Sequence, residues 1–124
     1  MKESIRKFDL EDRLVEFGVK ISDIVELLPN NRSGNYLANQ LIRSGLSPAL
    51  NNGEAQSAES RSDFIHKMKI VLKELRESSV SLKIIKRLSL LKQQEKLAPI
   101  MDEVQQLISI FVKSIATAQK NKEK

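Results

Sequence analysis

The 124-residue chain contains no cysteine and no tryptophan, and it has one histidine, one tyrosine and four phenylalanines. Without cysteine, neither a disulfide nor a thiolate metal site can form. The single histidine, His66, has no second histidine or cysteine with which to build a usual zinc site. We therefore expect no metal and no cofactor, and we expect His66 to be a structural or solvated residue.

The sequence also lacks long apolar runs, since none approaches the roughly 18 residues of a membrane span. Its first residues, MKESIRKFDLEDR, are charged and have no apolar core of a secretory signal. With four glycines and no readable Ser–His–Asp pattern, neither a phosphate-binding loop nor a catalytic triad is indicated. These absences predict a cytoplasmic protein that has no membrane partner and no enzymatic activity.

Charge is distributed unevenly along the chain. Residues 1–62 carry 8 Lys and Arg against 9 Asp and Glu, whereas residues 63–124 carry 13 against 7. The second half therefore has a net charge of +6, while the whole chain has +5. Such asymmetry is typical of a nucleic-acid partner, but a Lys-rich solvated surface produces it equally well.

Residues 60–88 form the most regular segment. Apolar or small residues recur there at alternating spacings of four and three, which predicts one amphipathic helix. Ser60 is placed to cap its start, with Asp63 three residues later. The stripe consists of Phe64, Met68, Val71, Leu75, Ser78, Leu82 and Ile85.

Two helices are predicted before this segment. The first begins at Asp9, which can act as its cap, and ends before Pro29. The second opens at Arg32 or Ser33 and ends near residues 51–53, with a polar linker over residues 54–59. Pro48 lies inside the second helix and is expected to kink or unwind it.

A fourth helix runs to about Ala118, after a break at residues 89–92. It begins either near Gln93, with a bend at Pro99, or at Ala98 and Pro99, where proline is tolerated. No segment reads as a strand. Because the connections are short, we predict a single all-α domain over residues 1–124, an antiparallel up-down-up-down four-helix bundle with left-handed packing. Residues 1–8 and 119–124 are expected to be mobile.

Several short motifs in this order resemble a known family. They are QxxRSxxSxxxNxxE over residues 40–54, SxxDFI over residues 60–65, and LKELRES followed by LKIIKRLSLL over residues 72–91. These motifs are similar to those of the bacterial four-helix-bundle family first noted in intervening sequences of large-subunit ribosomal RNA genes. The resemblance implies an up-down bundle that assembles as a homopentamer and has no known enzymatic activity. It also implies a relationship to the nucleic-acid-binding accessory variability determinant of diversity-generating retroelements.

A polar stripe on the second helix is the first candidate site. Its functional interpretation is a groove for a ligand or partner, and its structural interpretation is a hydrogen-bonded layer that fixes helix register or a subunit interface. We favour the layer, in which Arg43, Glu54 and Glu77 pair. The candidate residues are Gln40, Arg43, Ser44, Ser47, Asn51, Glu54 and Glu77.

A basic set on the third helix and the following connection is the second candidate site. Clustered cations bind phosphate backbones, and the lack of interleaved aromatic residues favours weakly sequence-specific binding to RNA or DNA. The alternative is a solvated helix face. The candidate residues are Lys69, Lys73, Arg76, Lys83, Lys86, Arg87, Lys92 and Lys96.

Two functions follow as hypotheses. The first is a homo-oligomeric scaffold that holds another protein or simply itself, because apolar residues outside the main stripes would suit a subunit interface. Those surplus residues are Ile70, Leu72, Ile84, Leu88, Ile100 and Leu107. The second is a basic accessory factor that binds nucleic acid, with RNA the favoured target.

Overall fold

The computed structural model describes residues 2–123, with side chains from residue 9 to residue 121. It contains four α-helices, named α1 (Lys2–Leu27), α2 (Arg32–Gln56), α3 (Arg61–Arg87) and α4 (Leu97–Glu123). A short 3-10 turn, Gln94–Lys96, precedes α4, and the described residues contain no strand. None of these helices combines the length and the hydropathy that crossing a lipid bilayer requires.

The helices pack as a four-helix bundle, which confirms the predicted fold. Each helix packs against the next along the chain, and α4 returns to α1 through a sparser contact. The connections 28–31 and 57–60 are only four residues long, so successive helices run antiparallel. The left-handed packing stays a prediction.

The core is built from the predicted stripes. Along α3, six of the seven stripe residues, from Met68 to Ile85, are at most 3% exposed, while Phe64 is partly buried. Phe17 of α1 and Phe111 of α4 are the largest fully buried side chains. Ile100 and Leu107, which the sequence suggested as interface residues, instead lie in this core. They complete the apolar face of α4, because a helix packed on two neighbours needs more than one residue row.

The ends of α1 and α2 differ from the sequence-based prediction. The helix α1 already runs through Asp9, so Asp9 does not cap it. The helix α2 continues past residues 51–53 to Gln56 and is not unwound at Pro48, which is buried, while the kink predicted there stays a prediction. The mobility predicted for residues 1–8 and 119–124 concerns in part Met1 and Lys124, which lie outside the described residues, and it stays a prediction.

Side-chain caps fix the starts of α2 and α3. The Asn31 side chain accepts a 2.8 Å hydrogen bond from the backbone N–H of Gly34. The Ser60 hydroxyl accepts one of 3.0 Å from the backbone N–H of Asp63, which confirms the predicted cap. Each bond satisfies one of the backbone donors that a helix start leaves unpaired.

The end of α3 is a Schellman motif. The N–H of Leu90 donates to the carbonyl of Ile85 at 3.2 Å, and the N–H of Ser89 donates to that of Lys86 at 3.1 Å. Ser89 consequently has a φ of 52°, a left-handed conformation usually taken by glycine. The helix α4 starts at Leu97, which places Pro99 third in the helix. A proline in the first turn costs no helical hydrogen bond, so the bend considered near Pro99 is not required.

Candidate functional site

Arg43 is the centre of a polar network between α2 and α3. Its Nη1 donates to both carboxylate oxygens of Glu74, at 3.0 and 3.2 Å. Its Nη2 donates at 3.0 Å to Gln40 of its own helix and at 3.0 Å to Glu77. Three of the predicted polar residues therefore meet, together with Glu74, which the sequence analysis did not single out.

The two carboxylates of this network differ in their environment. The Glu74 side chain is only 10% exposed, whereas that of Glu77 is 37% exposed. The hydrogen bond to Glu77, followed by the charges of Glu74 and Glu77, raises the pKa of the Arg43 guanidinium above its ordinary value. Arg43 therefore stays charged at every pH at which the fold is studied.

The other predicted polar residues near the middle of α2 lie outside the Arg43 network. The Ser78 hydroxyl donates to that of Ser44 at 2.9 Å, and both residues are buried. The Ser47 hydroxyl is buried without a hydrogen-bond partner among the described residues. The side chain of Asn51 donates to the backbone carbonyl of Ser47 at 3.2 Å.

Glu54 does not join the Arg43 network, although the sequence suggested that it would pair there. Glu54 lies near the C-terminal end of α2, where its carboxylate accepts a 3.2 Å hydrogen bond from Lys67 of α3. Glu54 lies 11 residues after Arg43 on the same helix, which separates the two by about 16 Å of helical rise. A pairing between them through one layer is therefore excluded by helix geometry.

A groove of about 580 Å³ runs along the contact between α2 and α3. Its apolar surface is provided by Tyr36, Leu72, Val80 and Ile84, of which Tyr36 and Val80 are more than half exposed. Three predicted basic residues, Lys69, Lys73 and Arg76, also line it. We call this feature the α2–α3 groove.

The remaining predicted cations lie beyond this groove. Lys83, Lys86 and Arg87 are exposed on the last turns of α3, and Lys92 and Lys96 are exposed on the connection to α4. None of these five forms an ion pair within the described part of the chain.

A second exposed apolar surface lies between α1 and α2, and the sequence analysis missed it. Val15 and Val19 of α1 are 49% and 48% exposed, and Leu46 and Leu50 of α2 are 41% and 72% exposed. All four line one shallow pocket, closed below by Gly18 and Leu14. We call this surface the α1–α2 patch. The signal that could have revealed it is the pair Val15 and Val19, which are apolar but lie off the α1 stripe.

A charged contact links α1 to α4 on the opposite side of the bundle. Arg13 donates to both oxygens of Glu103, at 2.7 and 3.1 Å, and also to Gln106 at 3.1 Å. The hydrogen bond to Glu103 raises the pKa of Arg13 above its ordinary value, although partial burial opposes this. The contact is part of the fold, and no open pocket adjoins it among those described.

Groups with the chemistry of a metal site are not assembled in the described residues. No cluster of three or more His, Asp or Glu side chains there could hold a metal ion. His66 is exposed on α3. The candidate features of the described residues are open surfaces.

Comparison with known proteins identifies the family. Residues 6–113 match the family described as 23S rRNA-intervening sequence protein. The chain is also similar to a crystal structure of a protein with unknown function from the S23 ribosomal protein family of Bacteroides thetaiotaomicron VPI-5482, with a TM-score of 0.78 and 30% identity over 86% of this chain and 97% of that chain. No curated protein matches the chain. The family resemblance noted from the sequence motifs is confirmed, and the chain belongs to the 23S rRNA-intervening sequence protein family.

Proposed function

We propose that the protein is a non-enzymatic, homo-oligomeric helical assembly that acts as a scaffold. The carrying observation is the distribution of exposed apolar side chains. Of the ten large apolar side chains exposed in the described residues, seven lie in the α1–α2 patch and the α2–α3 groove. Scattered exposed apolar residues need no explanation, but contiguous ones usually mark an interface.

The size of these surfaces supports association between copies. Burying one large aliphatic side chain is worth about 1.5–3 kcal/mol when it is fully enclosed. Each surface offers three or four exposed large apolar side chains, which is enough to contribute to a specific interface. The expected pentamer rests on the family resemblance alone.

The proposal is tested by replacing one exposed apolar residue in each surface. We expect Leu50→Ser and Ile84→Ser each to lower the mass measured by light scattering at micromolar concentration. Leu50→Ser should leave the melting temperature of the isolated subunit nearly unchanged, because Leu50 is 72% exposed, whereas Ile84→Ser should lower it, because Ile84 is only 41% exposed. The matched control is Val112→Ser, an exposed apolar position on α4 outside both surfaces, which should retain the mass of the unmodified protein. Two substituted proteins with unchanged mass would contradict the proposal.

A second candidate function is binding of nucleic acid, with RNA favoured over DNA. The observation that favours it is that all eight predicted cations are exposed and that none forms an ion pair within the described residues. Phosphate binding releases counterions, so affinity should fall steeply with salt. Neutralising Lys83, Lys86 and Arg87 together should lower affinity for structured RNA and flatten its salt dependence. Unchanged binding would exclude these residues.

The cytoplasmic location stays a prediction.

A further inference from the structure

The exposed side of α1 beside the α1–α2 patch carries a regular acidic row. Alternating spacings of four and three place its residues on one helix face. All of them are exposed, and none forms an ion pair within the described residues. We call this row the acidic stripe, and it consists of Asp12, Glu16, Val19, Asp23 and Glu26.

The exposed side of α3 carries a row of the opposite charge, with spacings of four, three and four residues and then one of seven residues, or two helical turns. It passes along the α2–α3 groove, and again every member is exposed and has no ion-pair partner among the described residues. We call this row the basic stripe, and it consists of Lys69, Lys73, Arg76, Val80 and Arg87.

The two stripes match each other in length as well as in charge. From first to last residue, the acidic stripe rises by about 21 Å along its helix and the basic stripe by about 27 Å. Each contains one exposed valine, Val19 or Val80, in line with its charges. Each also borders one of the two exposed apolar surfaces.

We infer that the α1–α2 patch of one copy docks on the α2–α3 groove of the next copy, with the acidic stripe lying along the basic stripe. This inference rests on the proposed function, and it assigns the two surfaces to each other. Their apolar residues would exclude water, while the flanking opposite charges would fix orientation and register.

The charge pattern favours a contact between unlike surfaces over one between like surfaces. If each stripe faced its own counterpart on the second copy, acidic side chains would oppose acidic ones and basic would oppose basic. Like charges brought together at an interface cost several kcal/mol. A contact between unlike surfaces avoids this cost, and repeating it generates a ring when the rotation closes. Gln40 and Glu77 of the Arg43 network also line the α2–α3 groove, but Glu77 is already paired with Arg43 and so does not compete for the basic stripe.

The test uses two charge-reversed proteins, E16K/D23K and K73E/R76E, each examined alone and as an equimolar mixture. In each protein alone, one stripe keeps its four like charges while the other carries two charges of each sign, so the attraction between the stripes is cancelled and we expect the assembly to fall to monomers. In the mixture, the reversed pair of each protein can meet the reversed pair of the other, so we expect association to return as complexes in which the two proteins alternate, and a closed ring of this kind has an even number of copies. Far-UV circular dichroism and thermal melting check that each protein is folded, and recovery in the mixture checks it again.

Matched controls carry the same change of charge at other exposed positions. E59K/E95K controls the first protein and K113E/K120E controls the second, and all four positions are exposed and lie outside both stripes. Both controls should retain the mass of the unmodified protein. A charge-reversed protein that keeps that mass, or a mixture that stays monomeric, would overturn the inference while leaving the proposed assembly intact.

Two further outcomes separate the alternatives. If the unmodified protein is itself monomeric, the proposed function fails and this inference fails with it. If K73E/R76E keeps the mass of the unmodified protein but no longer binds structured RNA, the basic stripe serves phosphate groups, and the docking of a second copy is overturned.

Discussion

The hydroxyl of Ser78 donates a 2.9 Å hydrogen bond to the hydroxyl of Ser44 across the buried contact between α2 and α3. Ser78 is 0% exposed and Ser44 is 1% exposed, so neither hydroxyl can turn to bulk solvent. Because both side chains are small, the pair allows the two helices to approach closely. The hydrogen bond also favours one register of α2 against α3, because any other register would leave both buried hydroxyls without a partner.

We expect Ser44→Ala and Ser78→Ala each to lower the free energy of unfolding by about 1–2 kcal/mol, because each leaves one buried hydroxyl without its partner. The double variant should lose less than the sum of the two, since both partners are then removed. Urea unfolding at equilibrium measures all three. Ser47→Ala is the control, because the Ser47 hydroxyl has no partner among the described residues and its removal should be nearly neutral. Strict additivity in the double variant would contradict this account.

Two glycines on α2 should respond to alanine in opposite directions. A Cβ at Gly45 would lie 2.8 Å from the Cβ of Ile21 in the core, whereas a Cβ at Gly53 would meet nothing within 4 Å. We expect Gly45→Ala to destabilise by about 1–3 kcal/mol through overpacking. Gly53→Ala should stabilise by about 0.5–1 kcal/mol, because it reduces the freedom of the unfolded chain within a helix. Thermal melting of the two variants measures both changes in stability. Equal changes of the same sign would contradict the packing described here.

Replacement of Ser89 by glycine should stabilise the protein. The left-handed conformation at this position costs a residue with a side chain about 1 kcal/mol, and glycine adopts it freely. We expect Ser89→Gly to raise the free energy of unfolding by about 0.5–1 kcal/mol. The control is Ser109→Gly on the exposed face of α4, where the same change should lower it by about 0.5 kcal/mol. A destabilised Ser89→Gly protein would show that the Schellman motif is not formed.

Removal of the Arg43 guanidinium should lower the melting temperature. Arg43→Ala leaves the largely buried carboxylate of Glu74 without its ion-pair partner. Because the pKa of Arg43 is raised, the arginine side of this contribution is complete below its ordinary pKa and is lost only at pH values above it. Arg43 stays charged between pH 6 and 9, so its titration should not change the decrease in melting temperature that Arg43→Ala causes in this range. Arg32→Ala, an exposed arginine on the same helix, is the control. Unchanged melting and unchanged mass in Arg43→Ala would refute a role for this network.

The fold could be predicted from the sequence because its stripes are continuous. Along α3, the spacing of Met68, Val71 and Leu75 specifies one buried face, and the structure buries that face. The helix ends were less predictable. Gly53 reads as a stop but does not adopt a positive φ, and Pro48 lies inside an unbroken helix, since one lost backbone bond does not outweigh packing against two neighbours.

The candidate surfaces could be predicted only in part. Lys69, Lys73 and Arg76 share a face by helical spacing alone, so their common groove follows from the sequence. The partnership of Arg43 with Glu74 depends on the register between α2 and α3, which a single sequence does not specify. The α1–α2 patch depends in the same way on which residues of α2 lie beside Val15 and Val19.

The mass of the unmodified protein in solution tests the central claim most directly. Light scattering over a range of micromolar concentrations, at moderate salt, should give a mass that is a fixed multiple of the 14.1 kDa chain. A fivefold mass would agree with the family resemblance. A mass of 14.1 kDa at every concentration would contradict the proposed assembly and the docking of unlike surfaces together.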